Sequence, residues 1–255
     1  MNDSNPPLIP SAINVTSAAV PLGESPEDRL PIYGIAAAME AILRQPRRVM
    51  FQLRQSASGR LIWAMLLLAI VCSLIYGLVV GTFSGAQQLW AAPAKIALGM
   101  LACGVICLPS LYIFSCLSGS HARFVEVVGL VAGLLLMMTL LLIGFAPVAW
   151  IFSQSTESVA AMGALHIVFW FVAAYFGLRF LALGFRHLSA QTNAGLNVWI
   201  VLFVLVCLQM TTALRPLVGT ADTFLPREKK FFLTHWFDNL SKETPKRANN
   251  TQASR

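Results

Sequence analysis

Few residues of this 255-residue chain have the types and spacing that chemistry requires. Cys103 and Cys107 lie four residues apart, so a helix would place both thiols on one face, where they could bind a soft metal ion. A site of that kind needs about four ligands, and no further Cys or His lies nearby in the sequence. His166 could shuttle protons, but no Asp or Glu stands at a matching depth to complete a relay. We therefore interpret the two thiols as packing groups and His166 as a packed or interfacial side chain, and we predict neither a metal nor a cofactor.

The sequence also lacks the motifs that identify common enzyme classes. No P-loop, HExxH, CxxC, nucleophile elbow or dinucleotide-binding glycine pattern is present. A catalytic site would need an acid, a base and a nucleophile that can meet in one place. The chain is therefore predicted not to be an enzyme.

Five apolar runs, each long enough to cross a lipid bilayer, fill most of the chain. A hydrocarbon core about 30 Å thick needs about 20 apolar residues in a helix, whose backbone amides then bond within their own segment. A hydrophobic content of 57%, a charged content of 11% and a mean hydropathy of +0.70 exclude an ordinary soluble domain. The predicted fold is an all-α, polytopic membrane bundle. Its five spans are predicted over residues 61–83, 94–117, 127–152, 161–185 and 198–214, within a transmembrane domain of residues 61–214.

The segments outside this domain are polar or amphipathic. Residues 1–30 contain five prolines and are predicted to be disordered, as are residues 242–255. Residues 31–60 are predicted to form two amphipathic, basic helices separated at Pro46. Residues 215–241 are predicted to form an interfacial amphipathic helix.

Four arginines before the first span are predicted to anchor the chain to anionic lipid headgroups, because basic side chains at the end of a span face the charged membrane surface. These anchors are Arg47, Arg48, Arg54 and Arg60.

Small residues and prolines within the spans indicate how the helices pack. The Gly129-x-x-x-Gly133 spacing is typical of a close helix interface, which would lie either within the chain or between subunits. Pro109 removes a backbone bond inside the second span and favours a kink there, with Ser110 or Ser115 able to satisfy freed carbonyls.

Charged and polar residues near the span ends have two interpretations each. Glu126 is expected either to pair with Arg179 or Arg186 between antiparallel helices, or to be solvated separately from them.

Three polar residues near the end of the fifth span could bond neighbouring helices or line a polar cavity, and helix packing is the favoured interpretation. They are Gln209, Thr211 and Thr212.

The distribution of basic residues predicts the orientation. Six Lys or Arg residues precede the first span, and Arg123 and Arg186 lie in loops on the same side, which places the N-terminus in the cytoplasm. Five crossings then put the C-terminus outside, although the final segment carries eight Lys or Arg residues and conflicts with this rule. A hairpin at Gly144 and Pro147 would add a crossing, but neither half of that run is long enough. The net charge is +7, but the basic residues flank the spans and form no basic face with aromatic residues. Nucleic acid is therefore not a predicted partner.

The chain resembles the Yip1-like family of membrane proteins over about residues 32–218, through the order of its spans and through two stretches of sequence. They are Leu43-Arg-Gln-Pro46-Arg-Arg-Val-Met-Phe51 before the first span and Leu108-Pro-Ser-Leu-Tyr-Ile-Phe114 in the second. The resemblance implies five spans, a cytoplasmic N-terminus and an external C-terminus. Eukaryotic members associate with small GTPases in vesicle traffic, but their Asp-Leu-Tyr-Gly-Pro pattern is missing here. The segment from Gln209 to Gly219 is similar to the end of the last span in bacterial inner-membrane proteins, and this predicts a bacterial inner membrane.

Two functions remain open from the sequence. The first is a non-enzymatic scaffold or adaptor that uses small-residue helix faces and amphipathic ends to bind a membrane-protein partner, or a second copy of itself, in the bilayer. The alternative is a transporter or permease subunit, which the prolines in the second and third spans and the polar residues near Gln209 favour. Against transport, no carboxylate lies at the midplane and an odd number of spans does not divide into equal repeats.

Overall fold

Seven α-helices and one 3-10 helix make up the computed structural model, which describes residues 22–55, 58–84, 88–120, 122–155, 159–188 and 194–213. These residues contain no strand. The 3-10 helix covers Pro26–Arg29. The α-helices are α1 (Gly34–Arg44), α2 (Pro46–Leu53), α3 (Ser58–Ser84), α4 (Gln88–Leu117), α5 (Phe124–Ser155), α6 (Val159–His187) and α7 (Ala194–Ala213).

The predicted all-α bundle of five spans is confirmed. Each of the helices α3 to α7 is long and apolar enough to cross a membrane. Most of their ends lie a few residues beyond the predicted spans, and α4 begins six residues before the predicted start at residue 94. The difference has a simple cause, since a helix continues into the polar headgroup layer, where an apolar run has already ended. The chain is therefore an integral membrane protein.

Helix α5 lies at the centre of the bundle, packed against α3, α4 and α6. In its most apolar stretch 72% of the residues are buried by protein, compared with 22% in α7, which packs mainly on α4. A helix surrounded by other helices needs apolar residues on all sides, and this explains why α5 has the highest hydropathy of the five.

Glycines set the register of the antiparallel pair α5 and α6. A Cβ on Gly184 would collide with the Leu130 side chain, and one on Gly177 would lie 3.2 Å from the Leu134 backbone oxygen. A methyl group at either position would force the helices apart. The absence of a side chain therefore brings α6 into close contact with α5.

A tryptophan attaches α7 to α4. Trp199 is fully buried, donates from Nε1 to the Cys107 backbone oxygen at 2.9 Å and stacks on Phe203. The Ser110 hydroxyl also donates to the Cys107 oxygen, at 2.8 Å, next to Pro109. The predicted bond from Ser110 to a carbonyl near this proline is thus present, whereas the buried Ser115 hydroxyl bonds to none of the described residues.

An N-terminal cap, residues 22–54, covers one end of the bundle. We call this the cap end, and it is where α3 and α5 begin and where α4 and α6 finish. Residues 22–30 were predicted to belong to a disordered segment, but they form a turn and the 3-10 helix packed against α2. Two predictions, the helix over residues 215–241 and the disorder of residues 1–21 and 242–255, lie outside the described part of the chain.

The cap is fixed to the bundle by apolar side chains. The buried face of α1 consists of Ala38, Ala41 and Ile42, and α2 buries Val49, Met50 and Leu53. Both helices contact α3 and α5, and α2 also contacts α6. The predicted helices before the first span are therefore present. Their predicted location on a membrane surface stays a prediction.

Candidate functional site

The glycines of α5 receive side chains of the cap. A Cβ on Gly129 would lie 2.5 Å from Leu53 Cδ2, and one on Gly133 would meet the Phe180 ring and stand 3.3 Å from Ile42 Cδ1. The two glycines predicted to mediate helix packing thus lie in an interface within the chain. Side chains of α1, α2 and α6 fill the space that they leave, and this differs from a backbone contact between two spans.

Three of the four predicted headgroup anchors bind the protein itself. Arg47 Nη2 lies 3.3 Å from Asp28 Oδ2. Arg48 donates to the backbone oxygens of Leu30, at 2.9 Å, and Pro31, at 2.8 Å. These carbonyls stand in the extended turn before α1, where no helix supplies them with donors. The anchor prediction therefore needs correction for Arg47 and Arg48.

The third of these arginines, Arg54, donates from Nη2 to the His187 backbone oxygen at the end of α6. The Ser120 hydroxyl donates to the next one, the Leu188 oxygen, at 2.7 Å. The last carbonyls of a helix have no partner within the helix and carry a partial negative charge, so a cation is favourable there. Arg60 is exposed in the first turn of α3, and its predicted role as an anchor stays a prediction.

Asp28 is a buried carboxylate of the cap that the sequence did not single out. It is only 5% exposed and accepts a hydrogen bond from the Gly23 backbone N–H at 3.1 Å, as well as pairing with Arg47. Arg29 Nε donates back to the Gly23 oxygen at 2.7 Å. Gly23 has a φ of +92°, which L side chains rarely adopt, so glycine is needed in this turn. In the sequence, the one sign of this turn was a glycine within an acidic, proline-rich segment.

Glu126 has a different partner from the predicted ones. Its carboxylate lies 3.1 Å from Arg123 Nη2 and accepts the Arg123 backbone N–H at 3.1 Å. This is half of a capping box, since Glu126 is the third residue of α5 and bonds back to the residue before the helix. Arg179 and Arg186 are both exposed on α6, and the predicted pair with Glu126 is not formed.

These bonds form two groups, around Asp28 and around Arg54, and both lie near His187 at the cap end. Arg123 Nη2 also donates to the Arg54 backbone oxygen at 2.8 Å, so the α4–α5 loop holds the residue that caps α6. A small cleft of about 10 Å³ lies beside these bonds, and its polar lining comes from Arg54, Glu126 and His187. We call this set of bonds, from Asp28 to Leu188, the cap network. It joins the cap to the ends of α5 and α6.

One of the three polar residues near the end of α7 bonds within its own helix, and the choice between helix packing and a polar cavity stays a prediction. Thr211 Oγ1 donates to the Leu208 oxygen of its own helix at 2.7 Å. Gln209 is partly buried, and the side chain of Thr212 lies outside the described part of the structure.

Polar side chains are also buried among the spans. The Tyr76 hydroxyl and His166 Nδ1 lie 2.7 Å apart and join α3 to α6, while His166 Nε2 is buried without a partner among the described residues. His166 is therefore packed, as predicted. Lys95 is only 1% exposed in α4. The burial of this lysine was not predicted, because its neighbours in sequence are apolar and include no acidic residue that could pair with it.

Cys103, Cys107 and Cys207 are free and buried in α4 and α7. Within the described ranges, no group of three or more His, Cys, Asp or Glu side chains has an arrangement that could hold a metal ion.

No protein-family model matches this chain, and neither a curated protein nor a solved structure is significantly similar to it. The Yip1-like resemblance stays a prediction.

Proposed function

We propose that the chain is a non-enzymatic scaffold or adaptor of a bacterial inner membrane, and that the cap is its platform for a membrane-protein partner. The observation that carries this proposal is the cap network. Its hydrogen bonds and ion pairs hold residues far apart in sequence, such as Arg54 and His187, in one arrangement. A surface that is ordered before binding loses less conformational entropy when a partner docks, and this favours a binding platform.

The basic residues support a cytoplasmic position for the cap. Five Lys or Arg residues precede α3 and Arg60 lies in its first turn, while Arg123 and Arg186 lie at the same end of the bundle. Cytoplasmic segments next to spans are enriched in Lys and Arg. Five crossings then leave the C-terminus on the other face of the membrane.

Co-purification in a mild detergent tests the adaptor proposal. The full chain should retain a stoichiometric membrane-protein partner, and Asp28→Ala, which opens the cap network, should lose it. Arg179→Gln removes an exposed cation outside the network and should retain the partner. A wild-type chain that always purifies alone, or partner binding that is equal in both variants, would refute the proposal.

A permease subunit is the second candidate, and the buried polar groups among the spans are the observation that favours it. Lys95 and the Tyr76–His166 pair lie within helices that bury mostly apolar side chains. Ionisable residues inside membrane spans often mark solute or ion pathways. Solute flux in reconstituted vesicles that Gln209→Ala or His166→Ala abolishes would put this candidate first.

A further inference from the structure

Two buried thiols meet where α7 attaches to α4. The side chains of Cys103 in α4 and Cys207 in α7 are hydrogen-bonded to each other. Both are free thiols, and Cys103 is 2% exposed and Cys207 3%. An S–H group is only a weak hydrogen-bond donor, so this contact does little to hold the two helices together. It does place two sulfur atoms next to each other across a helix interface.

The packing of the two helices keeps this pair in position. Trp199 of α7 donates to the Cys107 backbone oxygen of α4, and the two helices run in opposite directions through the bundle. Cys207 follows Trp199 by two helical turns on the same buried side of α7, and Cys103 precedes Cys107 by one turn in α4. The tryptophan bond therefore directs Cys207 towards Cys103.

Helix α7 is the span that a covalent link would change most. Only 22% of its most apolar stretch is buried by protein, and it packs mainly on α4, with little contact to α6. A disulfide restricts the separation of the two segments that it joins. A bond between Cys103 and Cys207 would thus fix α7 to the bundle in the position that it already has.

We propose that Cys103 and Cys207 are a redox-active pair, and that their oxidation to a disulfide locks α7 onto α4. The oxidant is a small, uncharged hydroperoxide such as hydrogen peroxide, because a charged oxidant would have to be desolvated to reach thiols buried among membrane spans. The inference does not depend on the adaptor function.

The reaction proceeds in two steps. One thiol sulfur attacks the O–O bond and becomes a sulfenic acid, while its proton and the other peroxide oxygen leave as water. The second thiol sulfur then displaces the sulfenic hydroxyl, which leaves with the second thiol proton as another water. Two electrons pass from the two sulfurs to the peroxide, and one S–S bond forms.

Counting the free thiols of the full chain is the first test. Membranes that contain the protein are exposed to hydrogen peroxide, denatured in detergent and labelled with a maleimide that shifts the protein on a gel. The wild type has five cysteines, so pairing two of them should leave three to label, and subsequent reduction should restore all five. Cys207→Ser should lose none of its thiols. The matched control Cys116→Ser, which removes an exposed cysteine of α4, should lose two as the wild type does.

Mass spectrometry of the linked peptides identifies the partners in the same samples. The expected link joins Cys103 to Cys207. An oxidised wild type that keeps all of its thiols, or a link that involves a different cysteine, would overturn the proposal.

A second measurement tests the position of the pair. In one background only Cys103 and Cys207 remain, and in another only Cys107 and Cys207, with serine at the other cysteine positions. The first should form its disulfide on the order of tenfold faster, because the bond requires a narrow range of distances and orientations between the two side chains. Equal rates would show that the hydrogen-bonded pair has no special position, and they would overturn the assignment.

The effect on α7 is measured by proteolysis in detergent. Protease nicking near α7 should be several-fold slower in the oxidised wild type than in the reduced wild type, whereas peroxide should leave the rate unchanged in Cys207→Ser. Equal rates before and after the disulfide forms would show that the bond does not lock α7. Because the adaptor is tested through Asp28→Ala, the two proposals can fail separately.

Discussion

A buried carboxylate organises the cap, and its contacts could not be read from the sequence. Asp28 pairs with Arg47 across 19 positions, and Arg54 reaches His187 across 133. Flanking arginines look the same in sequence whether they bind lipid or backbone carbonyls. Glu126 was accessible to prediction, since its spacing to Arg123 is that of a capping box.

At this scale we expect Asp28→Ala to destabilise the cap by roughly 2 kcal/mol, because the buried Gly23 N–H loses its acceptor and Arg47 loses one of its contacts. The measurement is the rate at which protease cleaves residues 22–54 in detergent, together with the unfolding temperature. Glu40→Ala removes an exposed ion pair and should change the stability by less than about 0.5 kcal/mol. Equal effects of the two substitutions would show that Asp28 does not hold the cap.

The helices themselves were predictable because hydropathy is a local property. All five spans follow from the length of apolar runs, and two residues of the third, Gly129 and Gly133, were identified as packing positions. The sequence could not reveal that the cap covers this helix face, since Ile42 and Gly133 are 91 positions apart. A glycine pair indicates close packing but does not identify the partner.

Two alanine substitutions in α5 test this packing. Gly133→Ala should destabilise the protein by roughly 1–3 kcal/mol, because the new methyl group collides with Phe180 in a filled interface. Gly144→Ala is the matched control, since a Cβ there meets nothing within 4 Å. It should be neutral or slightly stabilising, as alanine favours a helix over glycine. Thermal unfolding in detergent compares them, and equal midpoints would contradict the described interface.

The attachment of α7 can be tested in the same way. Trp199→Phe keeps an aromatic ring beside Phe203 but removes the hydrogen bond to the Cys107 carbonyl. The expected loss is about 0.5–1.5 kcal/mol, typical of a polar contact between membrane helices. Protease nicking near α7 should become faster. An unchanged rate and midpoint would show that stacking alone fixes this helix.

For the whole molecule, five apolar helices around a central α5 define an integral membrane protein, and the cap closes one end. Composition was sufficient to predict this class. The buried Lys95 and the Tyr76–His166 bond were beyond prediction, because they depend on which helices become neighbours. Chain direction then places the end of α7, at Ala213, on the face of the membrane opposite the cap.

Labelling with a membrane-impermeant maleimide in sealed vesicles tests this topology most directly. In a background without native cysteines, Arg44→Cys should react from one face of the membrane. Trp90→Cys, in the first turn of α4, and a tag at the C-terminus should be accessible only from the other face. Reaction of Arg44→Cys from the same face as the C-terminal tag would contradict five crossings and the bundle described above.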